Sequence, residues 1–212
     1  MTVHDVREDP APGVAQAVAA LRRGDLAVLP TDTVYGLAAD AFSPPAVDRL
    51  LAAKGRGRDM PVPVLVGSWR GLDGLADQVT PRMRRLVEAF WPGPLTLIVP
   101  AAASLAWDLG ETRGTVAVRM PLHPVALAVL AETGPLAVSS ANRTGLPPAT
   151  DAAQAQEQLG SSVAVYLEAG TSGDGKASTI VDLTGSPPQV RRVGALELAD
   201  LQALLPDVEG PR

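Results

Sequence analysis

Ser43 to Val66 reads SPPAVDRLLAAKGRGRDMPVPVLV. Ser43 can cap a helix that carries Pro44 in its first turn, with Val47, Leu50 and Leu51 as its apolar stripe. The helix should end at Lys54-Gly55, a cation followed by a glycine. Val62 to Val66 is then a strand, and Pro63 inside it argues for a sheet edge or a bulge. The connection between them is basic: Lys54, Arg56 and Arg58 alternate with Gly55 and Gly57 before Asp59. Two readings of these cations stand side by side. They suit a helix C-terminus, and they suit a polyanion such as phosphate, because glycines let backbone approach a ligand and arginine grips phosphate with a bidentate fork.

The same alternation extends in both directions. Asp9-Pro10 starts a helix with Val14, Val18 and Leu21 on one face and Gly24 as its stop. Asp25 to Pro30 is a buried strand that runs into Thr31-Asp32-Thr33-Val34-Tyr35-Gly36-Leu37. Downstream, Thr80-Pro81 starts a helix that ends before Trp91-Pro92-Gly93-Pro94, and Leu95 to Val99 is a strand. Residues 101–113 read as loop. Strands follow at Thr115 to Arg119, Pro135 to Ser139, Val163 to Leu167, Ser178 to Leu183 and Gln189 to Val193. Helices are expected at Pro124 to Glu132, Asp151 to Leu159 and Leu196 to Leu205, with a fraying tail. Alternating helices and strands, with some adjacent strand pairs, define an α/β fold with a mixed sheet. No repeat and no long linker divides the chain, so one domain is expected over residues 1–212.

Composition limits the function. The 212 residues carry a net charge of −5, with 46% apolar and 19% charged residues, an ordinary globular balance. Aromatics are only 3%, so Val, Leu, Ala and Ile must build the core. A pI near 5.0 argues against a protein whose main affinity is for nucleic-acid backbone. The absence of cysteine excludes disulfides, thiol nucleophiles and thiolate metal sites. His4 and His123 are too few for a multi-histidine metal centre, so no metal is expected on protein side chains. The acidic start MTVHDVREDP does not read as a signal peptide, and no apolar run is long enough to span a membrane. A cytoplasmic protein is expected.

Two tempting motifs fail on their context. Gly170 to Ala177, GTSGDGKA, nearly matches a phosphate loop, but alanine stands where the magnesium-binding hydroxyl belongs and the next segment, STIVDL, is strand-like. Ser139, Ser140 and His123 lack the nucleophile elbow of a hydrolase. The more informative pattern is collective. Thr31 to Thr33, Arg119, Ser140, Asn142 and Arg191-Arg192 all lie at strand ends, the usual ligand crevice of open α/β sheets. Singly each is an ordinary turn or surface residue; together they suggest a site for a polar, anionic ligand.

Taken in order, LPTDTVYGLAADA, KGR at Lys54 to Arg56, WPGPLTLIVP, TVAVRMP, SSANRTGLPPAT, STIVDLTG and VRRVGAL resemble the YrdC/Sua5 family of threonylcarbamoyl-AMP synthases. The resemblance runs from about Asp9 to Leu205 and includes the family's Lys-x-Arg and Ser-x-Asn elements. It implies a twisted mixed sheet flanked by helices, with a concave, positively charged substrate face. It also implies synthesis of L-threonylcarbamoyladenylate and pyrophosphate from L-threonine, bicarbonate or CO2, and ATP with Mg2+. Downstream proteins then transfer the threonylcarbamoyl group to adenosine 37 of tRNA, and weak tRNA binding by the synthase itself is a further expectation.

Residue by residue, the resemblance assigns Lys54 and Arg56 to phosphate and carbamate oxygens. Thr33, Arg119 and Ser178 fall to threonine; Arg56, Ser140, Asn142 and Arg192 fall to the nucleotide. Thr115, Val138 and Pro148 would add backbone contacts. Met60 and Leu65 depart from the family pattern, since neither can make the polar contacts expected there. The chain ends at Arg212 and so reads as the single-domain form. The competing expectation is a non-catalytic module of the same fold that binds tRNA or double-stranded RNA.

Overall fold

The computed structural model describes residues 1–211. The first half of the chain runs β1 (Thr2–Asp5), α1 (Ala11–Arg22), β2 (Ala27–Leu29), β3 (Gly36–Asp40), α2 (Pro44–Lys54), β4 (Val64–Leu65), α3 (Gly71–Leu75), α4 (Pro81–Phe90) and β5 (Leu95–Pro100). The second half runs β6 (Thr115–Arg119), α5 (Pro124–Thr133), β7 (Leu136–Ser140), α6 (Ala152–Leu159), β8 (Val165–Glu168), β9 (Thr179–Asp182), β10 (Gln189–Arg192) and α7 (Leu198–Leu204). All ten strands join one mixed sheet in the order β1-β8-β2-β3-β7-β4-β6-β5-β9-β10.

Local chemistry explains the helix limits. Proline stands in the first turn of α2, α4 and α5, where its missing N–H costs nothing. Thr80 Oγ1 accepts from Met83 N, and Asp151 Oδ1 accepts from Gln154 N, as N-caps do. Ser43 sits at the N-cap of α2, but its side chain makes no capping bond. Gly55 ends α2 at φ +61, a left-handed conformation that favours glycine.

Residues paired across strands share a face, so the register sorts the core. Val64 pairs Val118, which pairs Leu97, which pairs Val181; all four are buried in one apolar cluster beneath α2, α4, α6 and α7. On the opposite face Leu65 and Leu136 join a second cluster with Val14, Val18 and Leu21 of α1 and Val125, Val129 and Leu130 of α5. That row continues through Arg119, Ala117 and Ile98 to Ile180, beyond the cover of α1 and α5. The uncovered half of this face is where the pocket lies.

Several expectations need correction. Pro63 does not mark an edge: β4 lies in the sheet interior, between β7 and β6. The strand tolerates its prolines by shrinking to two residues, while Pro63 O still accepts from Val138 N at 2.8 Å. Strand β3 was not anticipated. Its sequence, GLAAD, is poor in β-branched residues, yet it pairs with both β2 and β7 and is almost wholly buried. Strand β1 and the five-residue α3 were also not anticipated. Through Glu209 the tail does not fray as expected: Val208 is buried, and Val190 N donates to Glu209 O at 2.8 Å; Arg212 lies outside the described residues.

Candidate active site

A pocket of about 310 Å³ opens on the bare half of the sheet. Of the residues expected at a site, Thr33, Arg56, Leu65, Arg119 and Val138 line it. Ser140, Pro148, Ser178 and Arg192 line it as well. These residues come from six separate segments, so the sheet order rather than proximity in sequence assembles them.

Arg119 leaves the end of β6 and is only 6% exposed. Every guanidinium nitrogen has a partner: Nε donates to Gly93 O at 2.9 Å, Nη1 to Thr33 Oγ1 at 2.8 Å and Nη2 to Asp32 Oδ1 at 2.6 Å. The same Asp32 oxygen accepts from Leu122 N at 2.8 Å. Five N–H donors minus three bonds leave two for a ligand. Burial pulls Arg119 below its ordinary pKa, and Asp32 opposes that pull.

Across the pocket, Ser178 Oγ lies 2.8 Å from Thr96 Oγ1 and accepts from Arg192 Nη2 at 3.1 Å. Arg192 Nε also donates to Ser178 O at 2.9 Å. Arg56 reaches in from the basic loop, donating from Nη1 to Ser139 Oγ at 3.0 Å and from Nη2 to Pro61 O at 3.1 Å. Burial lowers the pKa of both Arg56 and Arg192, and Arg56 lowers Arg192 further. An anion between these guanidiniums relieves both penalties.

Lys54 is placed differently. It is 3% exposed and does not line the pocket. Its Nζ donates to Ser140 O and to Asn142 O at 2.7 Å, with Asn142 Oδ1 at 3.4 Å. Its own carbonyl accepts from Thr144 N at 2.8 Å. Lys54 is thus a brace for the turn that follows β7. Burial, and then Arg56, pull its pKa down to about 8. Asn142 is also outside the lining; its Nδ2 donates to Arg143 O and Leu146 O. Thr115 Oγ1 donates to Thr112 O, two residues along the same face from Ala117. Met60 is 40% exposed and contributes its carbonyl, which accepts from Arg56 Nε at 2.8 Å.

Thr96 and Ser139 line the pocket without having been expected there; Thr31, from the Thr31–Thr33 turn expected at the crevice, lines it too, and Asp32 supports it. Thr31 and Asp32 stood in the quoted TDT stretch; Thr96, alone in an apolar strand, gave no signal. Loop 170–176 packs on the same turn. A Cβ on Gly173, whose φ is +45, would stand 2.7 Å from Asp32 O and 2.9 Å from Thr33 O. Tyr35 Oη holds the loop's root by donating to Gly170 O and accepting from Ala169 N. As expected from STIVDL, a strand follows this loop, so it has no helix N-terminus for phosphate. Among the described residues, no group of three or more His, Asp or Glu is placed to hold a metal ion.

The fold and this pocket define a ligand-binding α/β domain with guanidiniums and hydroxyls converging on the bare half of one sheet face. The chain belongs to the Sua5/YciO/YrdC family, whose model, described as "Telomere recombination", matches residues 19–194. A Mycobacterium tuberculosis protein that bears the name threonylcarbamoyl-AMP synthase provisionally is 56% identical over 193 residues, 91% of this chain and 89% of that one. The structure of Pyrococcus abyssi Sua5 complexed with L-threonine superposes with a TM-score of 0.94 at 34% identity, covering 99% of this chain and 62% of that one. Escherichia coli YciO gives a TM-score of 0.82 at 25% identity, over 92% of this chain and 95% of that one. No helix among the described residues is long and apolar enough to cross a membrane.

Proposed function

We infer that this chain is a threonylcarbamoyl-AMP synthase, a nucleotidyltransferase that serves tRNA modification. The carrying observation is the pocket itself, where the Arg119–Thr33 pair faces a sheet row that leads to Ser178 and Arg192, with Arg56 also on the wall. In this reading L-threonine places its carboxylate on the two free N–H groups of Arg119. Its neutral amine adds to CO2 and gives up a proton to solvent, or condenses with bicarbonate and releases water, to form a carbamate. A carbamate oxygen then attacks the α-phosphorus of ATP, the bond to the β-phosphate oxygen breaks, and pyrophosphate leaves.

Two anions must meet for that step, so charge neutralisation and alignment are the main catalytic tasks. Arg56 and Arg192 supply the charge in this proposal. Ser140 offers a hydroxyl at the end of β7, and Lys54 acts through the turn it braces. Thr115, Val138 and Pro148 contact the nucleotide along the sheet. Leu65 offers an apolar wall, and Met60 supports Arg56 through its carbonyl. Magnesium arrives on the triphosphate, whose oxygens are better ligands than anything in the pocket wall. A mixed anhydride hydrolyses readily, so loop 170–176 shields it until a downstream acyl-transfer complex in the cytoplasm takes it for adenosine 37 of tRNA.

The test is pyrophosphate release from ATP and bicarbonate, with and without L-threonine. Release that requires threonine supports the reading. Release that ignores threonine sinks it, and salt-sensitive RNA binding without turnover favours the non-catalytic RNA module instead.

A further inference from the structure

Thr31 lines the pocket at only 4% exposure, and its hydroxyl is fully engaged. Oγ1 is 2.7 Å from Val34 O, accepts from Thr33 N at 3.2 Å, and lies 3.1 Å from Thr33 Oγ1. A hydroxyl has one proton and two lone pairs. Val34 O can only accept, so it takes the Thr31 proton. The Thr33 N–H takes one lone pair. Only one lone pair then remains for the contact with Thr33 Oγ1, and Thr33 must be its donor.

That assignment fixes what Thr33 presents to the pocket. Its proton points to Thr31, and one of its lone pairs receives Arg119 Nη1. One lone pair is left, on a residue that lines the pocket and is 2% exposed, where little water competes. Ser178 differs: its contact with Thr96 Oγ1 runs in either direction, so its polarity is not set.

We propose that Thr31 is a positioning residue that determines specificity: it locks Thr33 as a hydrogen-bond acceptor toward the substrate. Thr33 then holds an N–H or O–H group of the amino acid and disfavours a carboxylate, which is left to Arg119. Wrong orientations of the substrate are rejected because they set one acceptor against another. The assignment rests on the amino-acid reading above.

Calorimetric titration with L-threonine and, separately, with ATP tests it. Thr31→Val should weaken threonine at least about tenfold and leave ATP within about twofold, while Thr31→Ser, which keeps the hydroxyl, should stay within about threefold of the parent. A Thr31→Val protein that binds threonine normally overturns the assignment, as does a Thr31→Ser protein as weak as Thr31→Val. A parent protein with no affinity for threonine overturns the proposed function, and this assignment with it. Should Thr31→Val not fold, neutron diffraction of the deuterium-exchanged parent decides: a Thr33 deuteron aimed at Thr31 Oγ1 supports the assignment, and one aimed into the pocket overturns it.

Discussion

Lys54 Nζ lies 2.7 Å from the carbonyl oxygen of Asn142, and it also donates to Ser140 O two residues before. The cation that begins the basic loop therefore points into the protein, while Arg56, two residues on, lines the pocket. A glycine between them, left-handed at φ +61, permits the divergence.

Removing Lys54 should therefore cost stability as well as turnover. Lys54→Met takes the Nζ donor from Asn142 O and Oδ1, while Ser140 O keeps Asn142 N at 2.9 Å, so the expected loss is about 2 kcal/mol, since unpaired buried acceptors cost about 1–3 kcal/mol. Urea unfolding at pH 7.5 measures this. An unfolding free energy equal to the parent's would mean that the turn after β7 does not depend on the brace.

The same residue gives a pH dependence of known sign. Its folded pKa of about 8 lies below the unfolded value of 10.5, because burial penalises the ammonium. Between those values the unfolded chain binds more protons, so this group's contribution to stability is lowest below pH 8 and rises toward pH 10.5. The rise amounts to at most about 3–4 kcal/mol, at about 1.4 kcal/mol for each unit. Unfolding curves at pH 7.5 and 10 should show the parent gaining on Lys54→Met. A constant gap between the two proteins would contradict the shift.

Arg56 should behave in the opposite way. It is half-buried, and its bonds go to Ser139 Oγ and the Met60 and Pro61 carbonyls at the pocket rim. Arg56→Ala is expected to change the unfolding free energy by less than about 1 kcal/mol. Threonine-dependent pyrophosphate release should fall by about 100-fold or more, the usual loss for one electrostatic stabiliser. Arg56→Lys should recover little, because an ammonium cannot reproduce the fork. Near-parental turnover in either variant would remove Arg56 from the reacting centre.

Loop 170–176 offers a paired comparison. Gly173 and Gly175 both have positive φ, so alanine strains either by about 1 kcal/mol. Only at Gly173 does the added methyl collide with the Asp32 and Thr33 carbonyls; at Gly175 it meets Thr150 Cγ2 at an ordinary 3.5 Å. Gly173→Ala should raise the KM for threonine several-fold more than Gly175→Ala does. Equal effects would show that loop strain, and not its contact with the turn, matters.

How legible the site was depends on what each residue needs. The helices α1, α2, α4, α5 and α6 follow from proline, capping and glycine signals carried within a few residues, and those signals act locally. Strand β3 left no such signal because its stability comes from two neighbours, β2 and β7, which are remote in sequence from one another. Pro63 misled for the same reason: a proline rule speaks of one strand's donors, and β4 keeps its place through the carbonyl of Pro63 and the donor of Val66. Thr33 and Arg119 could be marked in advance as polar groups at strand ends, and Ser178 through the family resemblance, but nothing near Thr96 announced its bond to Ser178.

Sequence by itself determined the α/β class, the run of helices and strands, and the set of guanidinium and hydroxyl groups available for an anionic ligand. These depend on local propensity and on residue chemistry, which a chain carries wherever it folds. Only the tertiary structure decided which cation faces the pocket and which braces the wall, and which hydroxyl has a lone pair to spare. Those outcomes depend on what β7 and the Thr31–Val34 turn bring to within hydrogen-bond reach, because the direction of a hydrogen bond is set by its partners.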